Sequence, residues 1–531
     1  MPKICTRQAP AVLKGKDWTA FFWARMPPGA HLEKIFDCIA TVPAVDGTTF
    51  NSVLKPLGFD FSILLVSAEH INLIVGARST LQLYWTVIQD SGKIYVTDHL
   101  PHVQLEQAAL RDSLDVAWLH TFMSHGLASG PMEFTPSTRT IYRDWQRVPA
   151  SHRVTLSASA RPEFQACTAF DNISDEKCLG LPGPGHVADF VRQSFSQHLA
   201  ELGNERSLAI EFSGGIDSGL IISQACQGLQ KKPLAICNSY PYPEFRREII
   251  YQESIRKQYG FQVDFKQGHE ILPFAKLLAV AAHDEPSVLT TSWGHLSSMH
   301  AHCQRENIST LLTGHGGDTL FEISPERHIE ESVHGHLPEL FGSACRKAIG
   351  QQASAIRDFL NQKPQIWVLA RHWHPTMLDS AFINRVFHNH PGHRLSYTSG
   401  LISPDLVNGL HAYWLLSNRP PRSSVRPIQK PVAHEIFGDL LPENVWRRPG
   451  KVNHLGLSYR GLSQSQQAIF VLEKNLSLFA PLLEFDAQKL GKILHAAASG
   501  LHSGDGWLSR MLALLIWAHA RDQASELTLT W

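Results

Sequence analysis

No two of the eight cysteines, Cys5, Cys38, Cys167, Cys178, Cys226, Cys237, Cys303 and Cys345, stand in a C-x-x-C pair. Their scatter excludes a zinc ribbon, a thioredoxin-like redox site and a disulfide framework, and it suits a reducing compartment. Net charge is missing too: 48 Lys and Arg face 48 Asp and Glu. Whole-chain charge therefore gives no reason to expect nucleic acid or an acidic membrane surface as a partner, and any anion must be held by local groups. The most apolar runs, "SILLV" and "MLALLIWA", fall far short of the ~20 residues that a membrane-spanning helix needs. The first residues lack the basic-then-apolar layout of a signal peptide. The expectation is a soluble, cytoplasmic protein.

At 531 residues the chain exceeds a single core of ordinary size. Its first third carries short runs of branched and aromatic residues between turn formers: "FDFSILLVS", "INLIVGA", "LQLYWTVI", "GKIYVTD" and "HRVTLSA". These predict packed antiparallel strands. Glycine and proline gather in "LGLPGPGH" at 179–186, as in an interdomain linker. Helical and strand patterns then alternate: "HVADFVRQSFSQHLAEL", "SLAIEF", "SGLIISQACQGL", "PLAICNSY", "RREIIYQESIRKQYG". That alternation predicts a parallel sheet covered by helices. From about 340 the chain reads as mostly helical. Among 29 histidines, clusters stand at 372–374, 388–393 and 295–303. They lack a ligand spacing with a matching second half and read as ordinary protein surface.

The segment "LAIEFSGGIDSGLIISQ" runs an apolar strand into Ser213-Gly214-Gly215 and out into a helix. The glycines let backbone approach an anion, the helix points free N–H groups and its positive end at it, and the hydroxyls of Ser213 and Ser218 add donors. It is not a Walker loop, because no G-x-x-x-x-G-K-[ST] is present. Asp217 would be repelled by bound phosphate unless a cation lay between, and Mg2+ held by carboxylates and phosphates is the natural mediator.

"SGGIDS" resembles the pyrophosphate loop of the N-type ATP pyrophosphatases, in the asparagine synthetase-like branch. A second element in that branch resembles "LLTGHGGDTLF" (311–321). Through this resemblance Asp318 is the second Mg2+ ligand beside Asp217, and Phe212, Cys237, Thr313 and Gly314 lie against the adenosine of ATP. "DEP" (284–286) resembles the family's acidic-proline turn, and "KPVAHEIFGDLLPENVWRRPGK" its C-terminal segment. The latter carries Lys451 onto the catalytic lysine that stabilises charge on the α-phosphate and pyrophosphate.

The N-terminal region resembles the family's glutaminase domain, with "TIYRDWQRVPASHRVTL" (140–156) as its closing strands. An active glutaminase exposes its cysteine nucleophile as the first residue. This chain starts Met1-Pro2 and its nearest cysteine is Cys5, so glutaminase chemistry is expected to be lost. The expected fold is α/β and α+β: a degenerate Ntn-type glutaminase sandwich over 1–180, then an ATP-pyrophosphatase synthetase domain over 187–531 with a helical C-terminal part. Relatives without glutaminase activity include lasso peptide macrolactam cyclases and β-lactam synthetases. His315 stands where asparagine synthetases carry glutamate and β-lactam synthetases tyrosine, and it is a candidate base for an amine. The resemblance is strongest to a lasso peptide cyclase, which implies a precursor peptide substrate and a leader peptidase as partner. An asparagine synthetase using free ammonia, a β-lactam-type synthetase and a non-catalytic ATP-binding scaffold are the alternatives.

Overall fold

The structure, a computed structural model, describes residues 3–5, 11–14, 18–24, 61–68, 70–76, 81–88, 93–100, 112–128, 138–149, 152–157, 162–166, 183–203, 207–267, 271–321, 339–362, 383–384, 395–401, 403, 406, 409–410, 412–413, 430–450, 455–501 and 506–527. Ten strands come first: β1 (Lys3–Cys5), β2 (Ala11–Lys14), β3 (Trp18–Ala24), β4 (Phe61–Ser67), β5 (His70–Val75), β6 (Tyr84–Ile88), β7 (Lys93–Thr97), β8 (Gln146–Arg147), β9 (His152–Ser157) and β10 (Glu163–Ala166). The five runs of branched and aromatic residues supply β4, β5, β6, β7 and β9. A six-stranded antiparallel sheet has the order β10-β9-β5-β4-β3-β2, and a four-stranded sheet the order β1-β7-β6-β8. Leu64, Leu73, Val75 and Val154 of the first sheet meet Trp85 and Val96 of the second in one buried cluster, so the two sheets pack face to face.

Helix α1 (Val116–Ala128) interrupts this strand-rich region, and α2 (Pro184–Gly203) opens the next. Then come β11 (Leu208–Glu211), α3 (Ile216–Gly228), β12 (Leu234–Ser239), α4 (Arg246–Tyr259), β13 (Val263–Gln267), α5 (Trp293–Arg305), β14 (Thr310–Thr313) and α6 (Gly317–Phe321). Helix α7 (Ser343–Gln362) and β15 (Ser396–Ser399) follow. These strands form a fully parallel sheet in the order β13-β12-β11-β14-β15. The mixed α/β character expected from the alternation is what the chain adopts. Strand alternation divides each strand between two cores. Ile210, Ala235 and Leu312 face a cluster built on α2 and α3, while Ala209, Ile236 and Leu311 face α5 and the C-terminal helices.

The remaining helices are α8 (Pro431–Phe437), α9 (Glu443–Trp446), α10 (Leu455–Gln464), α11 (Gln466–Glu473), α12 (Leu476–Leu483), α13 (Ala487–Ala498) and α14 (Gly506–Leu527). Residues 507–521 of α14 are buried on nearly every side, which makes it a central core helix. No helix among the described residues is long and apolar enough to cross a membrane. Tyr84, Trp118, Leu119 and Phe122 join the same buried cluster as α14, so residues on both sides of the glycine- and proline-rich stretch share a core.

The turn containing Asp284 and Glu285 stitches these regions together. The Asp284 carboxylate accepts from Leu100 N–H at 3.1 Å and its carbonyl accepts from Trp517 Nε1 at 3.3 Å. Glu285 pairs with Arg147 at 3.2 Å. The preceding His283 is buried, with Nδ1–H donating to the Ala281 carbonyl at 2.9 Å, and burial pushes its pKa down to about 4 from the ordinary 6.5. Between those values the unfolded chain binds the extra proton and the native chain does not. Stability from this group is therefore complete above the unfolded value and falls as the pH drops toward the folded one, by up to ~1.4 kcal/mol per pH unit. Urea midpoints measured from about pH 7 down to about pH 4.5 should fall more steeply for the native chain than for His283→Gln.

Candidate active site

The parallel sheet reverses its strand order between β11 and β14. To one side the chain runs β11 to β12 to β13, and to the other β14 to β15. The carboxyl ends of strands at such a switch point flank a crevice. Both glycine-rich segments singled out in the sequence leave the sheet there: Ser213–Gly215 after β11 and Gly314–Gly317 after β14.

The first loop is organised by its own hydroxyls. Ser213 N–H donates to Ser218 Oγ at 3.2 Å, the two hydroxyl oxygens lie 3.2 Å apart, and Gly215 N–H donates to Ser213 Oγ at 3.2 Å. Gly214 has φ +80, and a Cβ on it would press on Gln252 of α4 at 2.7 Å. Gly215 caps α3 without any side-chain hydrogen bond. The first N–H groups of this 13-residue helix thus point out of its end as an anion site.

Two groups outside the loop hold it. Gln252 Nε2 donates to the Ser213 carbonyl at 3.1 Å. Buried Arg448 donates through Nη1 to the Gly214 carbonyl at 3.3 Å, through Nη2 to Glu248 at 2.6 Å and through Nε to the Gly450 carbonyl at 3.2 Å, and its guanidinium lies 4.8 Å from the Tyr251 ring centre. One planar fork thereby ties α4, the loop and the segment after α9 together.

The second loop closes on the first. A Cβ on Gly314 would stand 3.0 Å from Ser218 N and 3.1 Å from Asp217 Cβ, and one on Gly317 would collide with the Asp217 carboxylate. Asp217 and Asp318, on separate helices, are thereby brought to one place. Between them sits the ammonium of Lys430, which pairs with Asp217 and, at 2.7 Å, with Asp318. Burial alone would lower the Lys430 pKa, but Asp217 and then Asp318 outweigh it and hold it above the ordinary lysine value. Lys430 reaches this point from a left-handed backbone conformation, φ +53, immediately before Pro431 at the start of α8. A non-glycine residue there costs of order 1 kcal/mol.

Two carboxylates whose oxygens converge on one positive charge fit a divalent cation that completes its shell with phosphate and water. Among the described residues no group of three or more His, Cys, Asp or Glu gathers for a metal by itself. Asp217 and Asp318 are the two described residues that could hold such an ion.

His315 lies on the second loop, exposed. Its N–H donates to Thr313 Oγ1 at 3.3 Å and its carbonyl accepts from Ser399 at 2.6 Å. Its ring meets Tyr397 edge-on with centres 6.2 Å apart. The protein packed around it lowers its pKa, with the nearby carboxylates of Glu211, Asp318 and Asp217 pulling the other way. At neutral pH the free imidazole, able to accept a proton, is the main form.

The four adenosine candidates divide. The side chains of Phe212, Cys237 and Thr313 are buried. Phe212 packs on Phe261 at 5.4 Å, and burial raises the Cys237 thiol to about 12. Those three positions can offer a base only their backbone, whereas Gly314 lies at the mouth of the crevice. Lys451 lies outside the described residues. Lys430 and Arg448 stand inside the quoted C-terminal segment and were not singled out in the sequence. A lysine directly before the proline of a helix start was the available signal for the first.

Residues 186–396 match the family model for asparagine synthase. The match supports an asparagine synthetase-like, ATP-dependent amide-forming ligase in general. No curated protein matches the chain. Among solved structures, the chain is similar to the U34-tRNA thiolase NcsA from Methanococcus maripaludis with its [4Fe-4S] cluster, at 12% identity over 57% of this chain and 80% of that one, with a TM-score of 0.23. It is also similar to the glutamine phosphoribosylpyrophosphate amidotransferase from B. subtilis complexed with ADP and GMP, at 10% identity over 64% and 77% of the two chains, with a TM-score of 0.18.

Lys430→Met should lower stability by about 3–5 kcal/mol in metal-free buffer, because it removes a buried charge partner. Millimolar Mg2+ should restore part of that loss, read as a rise in melting temperature that the unsubstituted chain does not show. Arg448→Lys keeps the charge but not the fork, and it should weaken binding of a non-hydrolysable ATP analogue about tenfold or more in a calorimetric titration.

Proposed function

We propose that the protein is an ATP-dependent lasso peptide cyclase. It joins an Asp or Glu side-chain carboxylate of a leaderless precursor peptide to the peptide's N-terminal amine, releasing AMP and pyrophosphate. The observation that carries the ligase chemistry is the convergence of Asp217 and Asp318 on one cationic point beside the N-terminus of α3. In this reading the backbone of Gly214 and Gly215, the hydroxyls of Ser213 and Ser218 and the first N–H groups of α3 take the β- and γ-phosphates of ATP. Phe212, Cys237, Thr313 and Gly314 border its adenosine. Mg2+ held by Asp217 and Asp318 would offset the charge of the phosphates.

The substrate carboxylate oxygen attacks the α-phosphorus, the bond to the bridging oxygen breaks, and pyrophosphate leaves. Lys430 supplies a fixed positive charge next to the developing one, and Lys451 fits the same work at the α-phosphate. The amine then attacks the acyl carbon and AMP leaves. His315, exposed at the crevice mouth and mostly unprotonated at neutral pH, accepts the proton the amine loses. Among the described residues neither of its ring nitrogens has a hydrogen-bond partner, which leaves it free to do so. The N-terminal sheets act as a scaffold without glutaminase activity, and a leader peptidase supplies the trimmed peptide.

The deciding experiment incubates a leaderless candidate peptide with ATP, Mg2+, the protein and a pathway peptidase, and follows it by mass spectrometry. The expected result is a peptide lighter by one water, with AMP and pyrophosphate released, and none of this with Asp217→Ala. Asparagine formed from aspartate and ammonia, with no peptide dehydrated, would replace the cyclase by an ammonia-dependent synthetase. Nucleotide binding without pyrophosphate release would leave a scaffold.

A further inference from the structure

Strand β11 ends on a carboxylate that the phosphate chemistry does not use. The run "LAIEF" is apolar except for Glu211, one residue before the loop. Alternation sends Ile210 and Phe212 into the core on the α3 side and Glu211 to the opposite face, with Ala209. On that face, at the carboxyl ends of the same strands, His295 of α5 stands between Glu211 and Asn238 of β12. His295 Nε2 lies 3.0 Å from Glu211 Oε1, and His295 Nδ1 lies 2.9 Å from Asn238 Nδ2.

Each polar atom of the triad can be accounted for. With a neutral imidazole, Nε2–H donates to Glu211 Oε1 and Nδ1 accepts from the Asn238 amide. With an imidazolium, Nδ1 becomes a donor and the Asn238 amide must turn over to face it with oxygen. In both arrangements the second carboxylate oxygen, Glu211 Oε2, is buried with no hydrogen-bond partner. In the first, Asn238 Oδ1 is a second such acceptor. An unsatisfied buried carboxylate oxygen is costly and calls for a donor, which a water, an ion or a ligand can supply. Burial pushes the Glu211 carboxyl up, but the charge and hydrogen bond of His295, with His315 further off, outweigh it and leave it below the ordinary value.

The crevice beside this carboxylate is the one already described. His315, on the second loop, is close enough for its charge to act on Glu211, and Tyr240, just past β12, responds to the same carboxylate. The Glu211 and His295 side chains are each about a fifth exposed, so the pair stands at the rim of the protein interior rather than deep within it. A group bound there carries N–H donors and positive charge, since two acceptors and a carboxylate repel an anion and leave an apolar group with nothing to satisfy them.

We propose that Glu211, oriented by His295 and through it by Asn238, forms the subsite that receives the ammonium of the amine-bearing acceptor substrate. Identifying that cation as the attacking amine rests on the amide-ligase reading; the existence of the cation subsite does not. Glu211 Oε2 takes one of the three ammonium hydrogens. Burial lowers the His295 pKa, but the charge and hydrogen bond of Glu211 outweigh it and hold it above the ordinary value; a bound cation takes over that charge and so favours the neutral imidazole. Before attack the ammonium releases one proton to solvent, the neutral amine keeps its hydrogen bond to Glu211 Oε2, and His315 accepts the second proton as the amide forms.

The test uses the full chain and methylammonium chloride as probe, with sodium chloride as the control for ionic strength. The ring resonances of His295, assigned by their loss in His295→Gln, should shift saturably with methylammonium and not with sodium. Glu211→Gln, which keeps shape and removes charge, should abolish the saturable shift while binding a non-hydrolysable ATP analogue within about twofold of the unsubstituted chain. Asn238→Ser, a milder change that serves if Glu211→Gln does not fold, should weaken methylammonium binding severalfold. Absence of a saturable shift in the unsubstituted chain overturns the proposal. So does a loss of analogue affinity of about tenfold or more in Glu211→Gln, which would assign the free oxygen to the adenine amino group. Neither measurement needs turnover, so failure of the cyclase reading in the peptide assay leaves this result standing, and the reverse holds too.

Discussion

The Lys430 ammonium between Asp217 and Asp318 is the contact on which the geometry of the crevice turns. Two carboxylates on separate helices repel one another, and they belong to loops that leave different strands. A single buried cation converts that repulsion into a bridge, and the bridge holds the two loops in register. The glycines make the approach sterically possible: the Gly314 position would press on Ser218 and Asp217, and the Gly317 position would meet the Asp217 carboxylate, if either bore a side chain. Charge supplies the attraction and missing side chains supply the room.

The same bridge explains a backbone feature that has no local cause. Lys430 adopts a left-handed conformation immediately before a proline, an arrangement disfavoured for a residue with a side chain. The strain is of order 1 kcal/mol. A buried lysine held by two carboxylates outweighs such a cost only while its partners are in place. The helix start at Pro431 is thus positioned by the site as much as the site is positioned by the helix.

Much of this was legible in the chain, for a definite reason. A strand, a serine-flanked glycine pair and a helix in unbroken succession leave only one way to aim N–H groups at an anion, and "SGGIDS" carries all three within one short stretch. The parallel sheet was legible because alternation of period-two and helical patterns admits few other arrangements. What sequence could not convey was contact between distant segments. Lys430 lies 213 positions from Asp217, and "KPVAHEIF" reads as an ordinary helix start until the fold places its first residue. Arg448 reads as one of two adjacent arginines, and only the fold shows that one is buried in a fork while its neighbour is exposed. Lys451 stands out only by its place in the longer C-terminal segment, and it lies outside the described residues.

Glu211 and His295 show the limit from the other side. A carboxylate ending an apolar strand and a histidine in a helix with several others each have an unremarkable explanation when taken alone. Their meaning arises because parallel strands deliver residues from unrelated positions to one edge of a sheet. Neighbouring β11 and β12 bring Glu211 and Asn238 to that edge, with Glu211 opposite Ile236 in register, and α5 lowers His295 between the two. Along that edge the face near α3 presents the first N–H groups of the helix and Lys430 with its two carboxylates, while the face near α5 presents Glu211. An enzyme that joins an activated acid to an amine must accommodate one anionic and one cationic reactant within bonding distance of each other. A sheet edge that turns the free N–H groups of α3 to one side and the Glu211 carboxylate to the other keeps the two recognition groups on separate faces.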